Sequence, residues 1–276
     1  MNEQASKARS FRDLHYFSKP LVLPNAWDAI TARIFESAGF PAIGTTSAGM
    51  AMALGYPDGG YLPFDMLVSA LGRIVKSVHV PVSADIESGY GLTPERAADY
   101  VDRLVDTGIV GINIEDSVGL ADEALFPEEF QVQRIAAIRE VSEARNLALF
   151  INARIDTFKH SEKVTDELLE DTLHRAALYR QAGADCIFVF GVKDVDIMHK
   201  LVREIHGPVN FMAGSGMPSV QQLQAIGVSR ISMGPAALKV AMGAVKKVAT
   251  ELFTAGTYDH SLLSEMSYQE LNGHFL

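Results

Sequence analysis

The stretch VPVSADIESGYGLTPERAADYVDRLVDTGIVGINIED, residues 80–116, contains one complete strand–helix–strand repeat. Two short apolar runs, at 80–87 and 110–116, predict buried strands, and the TPE sequence at 93–95 is typical of a helix start. Gly108 marks the turn before the second strand. Two strands separated by a helix in this way favour a parallel pair.

The same unit recurs along the whole chain. Further strands are predicted at residues 21–26, 42–48, 148–155, 186–191, 209–214 and 230–235. Helices are predicted to begin near Asp28, Phe64, Thr93, Pro127, Thr165, Val195, Ser219 and Pro235. Eight strands, each followed by a helix, predict an α/β fold in which a parallel sheet closes into a (β/α)₈ TIM barrel. A doubly wound open sheet is the alternative, but PNAWD at 24–28 replaces the glycine-rich dinucleotide fingerprint after the first strand.

The length of 276 residues is one that a barrel commonly occupies as a single domain. We therefore expect one domain over residues 1–276, with the barrel at about 21–254 and a C-terminal helical tail at about 257–276. A short helix at 261–271 is expected to pack on the barrel or on a neighbouring subunit.

Composition narrows the function classes. The formal net charge is −10 and no run of Lys and Arg appears, which argues against nucleic acid and anionic membrane as partners. No apolar run is long enough to span a membrane, and residues 1–20 lack the apolar core of a signal peptide. Cys186 is the only cysteine and lies in a predicted strand, so we expect a buried thiol, no disulfide and a cytoplasmic location.

Carboxylates lie at the C-terminal ends of two neighbouring predicted strands, where barrel enzymes carry their active residues. On the third strand the period of two places Asp85 and Glu87 on one face, and on the fourth it does the same for Asn113 and Glu115. Three converging carboxylates repel one another unless a cation offsets their charge, and oxygen ligands suit Mg²⁺ or Mn²⁺. The alternative is that these acids cap helices or pair with Arg and Lys at the rim.

Three further strand ends offer groups for an anionic ligand. Arg154, at the end of the fifth strand, is predicted to clamp an anion, and the alternative is a structural salt bridge to Glu115 or Asp156. Small residues in TTSAG at 45–49 let backbone N–H groups and hydroxyls approach an oxyanion, or else form a tight turn. Asn210, on the seventh strand, offers a polar group to a second carboxylate.

These residues stand in segments that resemble the isocitrate lyase and phosphoenolpyruvate mutase superfamily. The most specific segments are LGYPD at 54–58, DIESGYG at 85–91, GINIED at 111–116 and NAR at 152–154. The resemblance runs from about residue 21 to about residue 250. It implies a homo-oligomer, a tetramer or a dimer, in which the eighth helix is often exchanged between subunits.

Carried over position by position, the resemblance implies a role for each candidate. Asp85 would coordinate Mg²⁺, while Glu87 and Glu115 would hold its waters. Asp58 would place an acid next to the reacting carbon. A small 2-oxo-carboxylate substrate, or the enolate that develops from it, would be bound by Thr46, Ser47, Ala48 and Arg154. The catalytic candidates are therefore Arg154, Asp58 and Glu115.

The sequence departs from the superfamily at three markers. The lyases carry a Lys-(Lys/Arg)-Cys-Gly-His stretch after the fourth strand, and its cysteine protonates the product. Here that loop reads DSVGLADE at 116–123, with no cysteine, lysine or histidine. Ser117 stands where the phosphonate branch has Lys, and GPA at 234–236 stands where an oxaloacetate-decarboxylating branch has its histidine. The metal and enolate chemistry that the branches share does not depend on these markers.

We therefore expect a Mg²⁺-dependent lyase or decarboxylase. Its substrate would be a small 2-oxo or 2-hydroxy di- or tricarboxylate, such as oxaloacetate or a 2-oxoglutarate-like acid, cleaved through an enolate. Three alternatives stay open. They are a carbon–phosphorus bond enzyme of the same superfamily, a Schiff-base aldolase that uses Lys193, and a non-catalytic barrel that binds an oxo-acid.

Overall fold

The computed structural model describes residues 3–91, 93–118, 124–161, 163–258 and 266–275. Within these ranges nine strands form one parallel sheet in the order β1-β9-β8-β7-β6-β5-β4-β3-β2. The strands are β1 (Leu21–Leu23), β2 (Asn25–Ala26), β3 (Ile43–Thr45), β4 (Val82–Asp85), β5 (Gly111–Glu115), β6 (Phe150–Ile155), β7 (Cys186–Val189), β8 (Val209–Met212) and β9 (Arg230–Ser232).

The first predicted strand is present as two halves that close the sheet. Its halves, β1 and β2, are separated by Pro24, which has no N–H to donate to a ladder. β1 pairs with β9 and β2 pairs with β3, so the sheet returns on itself and the predicted (β/α)₈ barrel is confirmed. Asn25 reinforces the closure, because its Oδ1 accepts from Met233 N at 2.7 Å and from Gly234 N at 2.9 Å.

The described helices are α1 (Glu3–Asp13), α2 (Ala29–Ser37), α3 (Ser47–Ala53), α4 (Phe64–Ser77), α5 (Pro94–Val105), α6 (Glu128–Ala144), α7 (Asp166–Gln181), α8 (Val195–Glu204), α9 (Val220–Ala225), α10 (Ala236–Thr254) and α11 (Tyr268–Gly273). Several predicted start residues are the N-caps. The side chains of Asp28, Thr93, Thr165 and Ser219 each accept a hydrogen bond from a backbone N–H in the first turn of the helix that follows. The predicted helix starts near these four residues are therefore confirmed, and a side-chain cap stabilises each of them.

Helix α3 corrects the prediction for the second strand. The strand was predicted over 42–48, but it ends at Thr45 and a helix begins at Ser47. The Thr46 hydroxyl caps this helix by accepting from Gly49 N at 3.4 Å. The segment is too short and too rich in small residues to show a helical period in the sequence.

The two ends of the chain also differ from prediction. α1 was not predicted, because only Ala8 and Phe11 of its residues are buried and no apolar stripe results. It covers the N-terminal ends of the strands, where Phe11 packs edge-on to Phe150 with 5.4 Å between ring centroids. At the other end α11 replaces the later part of the helix predicted at 261–271, and residues 259–265 lie outside the described residues.

Helix α10 exposes most of its apolar side chains. Leu238 is its one buried residue, whereas Val240 is 75% exposed and Phe253 is 92% exposed. An exposed apolar surface of this kind is suited to contact with another subunit. The homo-oligomer with an exchanged eighth helix stays a prediction. Among the helices of the described ranges, none is both long and apolar enough to cross a bilayer.

Candidate active site

A cavity of about 200 Å³ opens at the C-terminal ends of the barrel strands. The predicted site residues that line it are Thr46, Ser47, Ala48, Asp58, Asp85, Glu87, Glu115 and Arg154. Asn210 is not among the lining residues, since it is fully buried and donates to Ser232 Oγ at 3.3 Å. The structure thus brings all but one of the predicted residues to one cavity.

Asp85, at the end of β4, is held in place by hydrogen bonds from Ser47 and Asn113. Its Oδ2 accepts from Ser47 N at 3.0 Å and from Ser47 Oγ at 2.8 Å, and its Oδ1 accepts from Asn113 Nδ2 at 3.0 Å. Asn113 is oriented in turn by Asn152, whose Nδ2 donates to Asn113 Oδ1 at 2.8 Å. These hydrogen bonds fix the direction of the Asp85 carboxylate.

Glu87 reaches the cavity from a turn and not, as predicted, from the strand. β4 ends at Asp85, and Glu87 has a φ of 52°, in the left-handed region that non-glycine residues seldom adopt. Tyr90, with a φ of 61°, belongs to the same turn and donates from its hydroxyl to Glu87 Oε1 at 3.2 Å. A backbone held in this way is typical of a functional site.

The acids of the cavity raise one another's pKa values. Burial, followed by the charges of Asp85, Asp58 and Glu115, raises the pKa of Glu87 to about 8. Burial, followed by Asp85, also raises the pKa of Asp58. Burial raises the pKa of Glu115 as well, although the Arg154 guanidinium acts in the opposite direction. The cavity therefore favours either protons or a cation beside these groups.

The donor set fits a hydrated Mg²⁺ ion. Within the described residues, no three Asp, Glu, His or Cys side chains are arranged to bind a metal ion together. Mg²⁺ usually keeps several waters and takes only one or two carboxylates directly. A Mg²⁺ ion bound directly by Asp85, with Glu87 and Glu115 binding its waters, is compatible with the arrangement of the side chains and with this preference of Mg²⁺ for water ligands.

Arg154 forms the salt bridges that were its structural alternative. Its NH1 lies 2.7 Å from Glu115 Oε2, and its Nε and NH2 lie 2.5 and 2.8 Å from the two oxygens of Asp156. Its guanidinium also lies over the Phe190 ring, 4.1 Å from the centroid. The charge of Arg154 is therefore balanced by carboxylates while the side chain still lines the cavity.

A buried layer behind the cavity supports Arg154. Asp116 Oδ1 accepts from Asp156 N at 2.9 Å, and Asp116 Oδ2 accepts from Tyr179 OH at 2.9 Å. Arg175 NH1 lies 3.4 Å from the same Oδ2. Burial raises the pKa of Asp116 to about 6, against these partners. The layer orients Asp156 and, through it, the guanidinium of Arg154.

Two cations of the cavity were missed from the sequence. Lys159 lines it, with its Nζ 3.3 Å from Asp156 Oδ2 and 3.3 Å from Ser117 Oγ. The sequence signal that could have identified Lys159 is its position three residues after Asp156, the acid that follows the strand. Arg230 lines the cavity from the first residue of β9, where residues of a barrel strand are ordinarily core. By contrast Lys193, the Schiff-base candidate, is exposed and is not among the lining residues.

The chain is similar to several known proteins. The sequence profile of the phosphoenolpyruvate phosphomutase family matches residues 11–253. A protein of Mycobacterium tuberculosis is 39% identical over 228 residues, which cover 82% of this chain and 81% of that protein. The 2,3-dimethylmalate lyase of Eubacterium barkeri is 29% identical over 281 residues, covering 96% of this chain and 94% of the lyase. The solved structure of a Burkholderia cenocepacia protein matches with a TM-score of 0.91 at 35% identity, covering 100% of this chain and 97% of that one.

The chain therefore belongs to the phosphoenolpyruvate phosphomutase family, within the isocitrate lyase and phosphoenolpyruvate mutase superfamily. Its relatives include lyases, and the protein is an enzyme of this superfamily. Members of the superfamily use a divalent metal, typically Mg²⁺, and act on small carboxylates.

Of the loop that departs from the family markers, residues 119–123 lie outside the described residues. Ser117 is described, and its Oγ donates to Glu115 Oε1 at 2.9 Å.

The raised pKa of Glu87 predicts a pH dependence of stability. Its ordinary pKa is 4.5 and its folded value is about 8, so the folded state holds a proton that the unfolded state loses between these values. The stabilisation is complete below pH 4.5 and is lost as the pH rises through about 8. Each pKa unit corresponds to about 1.4 kcal/mol. Without metal, the melting temperature of the wild type should decrease as the pH rises from 4.5 to about 8. The decrease should be smaller in Glu87→Gln.

Scanning calorimetry in EDTA between pH 5 and pH 9 measures this effect. Glu140→Gln, which changes an exposed residue of α6, is the matched control and should keep the wild-type slope. Equal slopes for wild type and Glu87→Gln would mean that Glu87 does not carry the proton.

Proposed function

We propose that this protein is a Mg²⁺-dependent lyase or decarboxylase that acts on a small 2-oxo or 2-hydroxy dicarboxylate through an enolate. The observation that carries the proposal is a cavity of about 200 Å³ that is lined by four carboxylates together with Arg154, Lys159 and Arg230. A cavity of this size suits a small acid better than a nucleotide. The name of the related 2,3-dimethylmalate lyase also indicates a small dicarboxylate.

The residues of the cavity divide into a metal side and a substrate side. Asp85 would hold Mg²⁺ directly, with Glu87 and Glu115 binding its waters. When bound, the ion would supply positive charge to the oxygens of the substrate and of the enolate. Arg154, held by its carboxylate partners, would donate to the substrate carboxylate or to the enolate oxygen. Lyase and decarboxylase chemistry both require this stabilisation.

The segment Thr46–Ala48 would bind the substrate through fewer amides than the resemblance implies. Thr46 N already donates to Ala26 O at 3.0 Å, and Ser47 N donates to Asp85. We therefore assign the backbone contact to Ala48 N, in the first turn of α3. An N–H group at a helix start is suited to an anionic oxygen.

Proton transfer would fall to Asp58 and Lys159. Burial and then the charge of Asp85 raise the pKa of Asp58, which is the direction that favours a general acid or base. The Lys159 ammonium is a proton donor that enters the cavity from the loop after β6. It would replace the loop cysteine of the superfamily's lyases as the group that protonates the product carbanion.

A panel of acids tests the proposed function. Purified protein would be assayed with Mg²⁺ for turnover and, by calorimetry, for binding of oxaloacetate, 2-oxoglutarate, malate, 2,3-dimethylmalate and phosphonopyruvate. We expect Mg²⁺-dependent cleavage of a dicarboxylate that falls at least about a hundredfold in Asp85→Ala. Asp65→Ala is the control, because the Asp65 side chain is 84% exposed on α4 and its loss should leave the rate unchanged. Absence of both turnover and binding across the panel would contradict the proposal.

The same panel separates the alternatives. Turnover of phosphonopyruvate alone would favour carbon–phosphorus chemistry, against which stands Ser117 in place of the lysine of that branch. Trapping by borohydride in the presence of chelator would favour the Schiff-base aldolase, although Lys193 is exposed outside the cavity. Binding without turnover would favour a non-catalytic barrel, whereas the lyase relatives indicate an enzyme.

The role of Lys159 predicts a change in kcat. Lys159→Met removes the proton donor, so kcat should fall by roughly 10² to 10⁴-fold. Lys193→Met, the matched change outside the cavity, should leave kcat within about twofold of wild type. Steady-state kinetics on the substrate found with the panel measure both. An unchanged kcat in Lys159→Met would assign product protonation to another group.

A further inference from the structure

Arg230 is a buried guanidinium without a salt bridge. It is 3% exposed, it lines the cavity, and its Nε and NH1 have no hydrogen-bond partner. Among the described residues it forms no ion pair, whereas Arg154 forms two. A buried charge without a partner is strongly destabilising, and one that lines a cavity can be stabilised by an anion that enters the cavity.

Arg230 keeps its charge at neutral pH. Burial lowers its pKa to about 10, which still leaves the guanidinium protonated. The neighbouring groups do not neutralise it: Cys186 has a pKa that burial raises to about 12, and His15 has a pKa that burial and then Arg230 lower to about 3. Asp85 is the one carboxylate whose charge raises the pKa of Arg230. The cavity therefore contains one uncompensated positive charge on the β9 wall.

The strand order places this charge away from the acids. β9 lies across the barrel from β5, which carries Glu115, and three strands from β4, which carries Asp85. Ser232, two residues after Arg230 on the same face of β9, also lines the cavity and adds a hydroxyl beside it. An anion that reaches from the Asp85 side to the β9 wall would meet both groups.

We infer that Arg230 binds the second carboxylate of a dicarboxylate substrate, the one remote from Asp85, with the Ser232 hydroxyl beside it. The inference rests on the proposed function and specifies its substrate class. It moves this contact from Asn210, where the sequence placed it, to the next strand, since Asn210 and Arg230 are paired in register on β8 and β9. When the substrate binds, its second carboxylate would become the ion-pair partner of the Arg230 guanidinium.

An ion pair at the second carboxylate favours a lyase over a decarboxylase. In decarboxylation that carboxylate leaves as neutral CO₂, so the ion pair is lost as the bond breaks. In cleavage of a 2-hydroxy diacid, Asp58 takes the hydroxyl proton and the C2–C3 bond breaks. Its electron pair moves onto C3 and the remote carboxylate, which gains negative charge. Lys159 then protonates C3, giving a 2-oxo acid and a saturated acid. The negative charge on the remote carboxylate increases in the C2–C3 cleavage and not in decarboxylation, so Arg230 would stabilise the transition state of the cleavage.

Two ligands that differ at one group test the inference. Malate carries the second carboxylate, and 2-hydroxybutyrate has a methyl group in its place. Calorimetry with Mg²⁺ would measure both for wild type, Arg230→Met and Arg230→Lys. Wild type should bind malate at least about tenfold more tightly. Arg230→Met should lose this preference while its affinity for 2-hydroxybutyrate stays within about twofold, and Arg230→Lys should retain part of it.

Arg134→Met is the matched control. Arg134 is also a buried arginine with unpartnered nitrogens, but it does not line the cavity, so the malate preference should be unchanged. Equal weakening of both ligands in Arg230→Met, or no change, would overturn the inference. If Arg230→Met does not fold, Arg230→Lys decides the test. A reduced but measurable preference for malate in Arg230→Lys would support the inference, and an unchanged preference or equal weakening of both ligands would overturn it. If wild type binds neither of these ligands nor any acid of the panel, the proposed function fails together with this subsite. If it binds another dicarboxylate of the panel, that acid and its monocarboxylate analogue replace malate and 2-hydroxybutyrate in the same comparison.

Discussion

Electrostatic repulsion among buried carboxylates is the constraint on which the rest of this site depends. Asp58, Asp85, Glu87 and Glu115 line one cavity of about 200 Å³, and the charges of the others help to raise the pKa of Glu87 to about 8. Three of these carboxylates are accommodated differently: Asp85 by hydrogen-bond donors, Glu115 by Arg154, and Glu87 by a proton or a metal ion. A divalent cation would relieve the repulsion at all of them together.

The surrounding fold holds these charges against their tendency to separate. Asp116, Tyr179 and Arg175 orient Asp156 from behind, and Asp156 fixes Arg154. The turn after β4 holds Glu87 at a positive φ and directs it to the cavity. Rigid support of this kind is what a site needs if its groups are to stabilise a developing charge without first reorganising.

The barrel and the convergence of acids could be predicted from the sequence, because each follows from a local pattern. Apolar runs mark the strands, and the polar residues that end them meet at one edge of a parallel sheet. Arg230 could not be found in this way, since it begins its strand and resembles any surface arginine until the closed barrel buries it. Asp85 was found from the pattern, whereas the turn at Glu87 depends on contacts made after folding. Helix α1 was missed because its packing uses only two apolar residues.

Proton release on metal binding tests the central claim most directly. Calorimetric Mg²⁺ titrations at pH 7, in buffers with different heats of ionisation, count the protons that leave the protein. Because the pKa of Glu87 is about 8 without metal, binding should release roughly one proton, and Glu87→Gln should release markedly less. Mg²⁺ binding without proton release, or equal release from wild type and Glu87→Gln, would contradict the account in which repulsion among these acids defines the metal site.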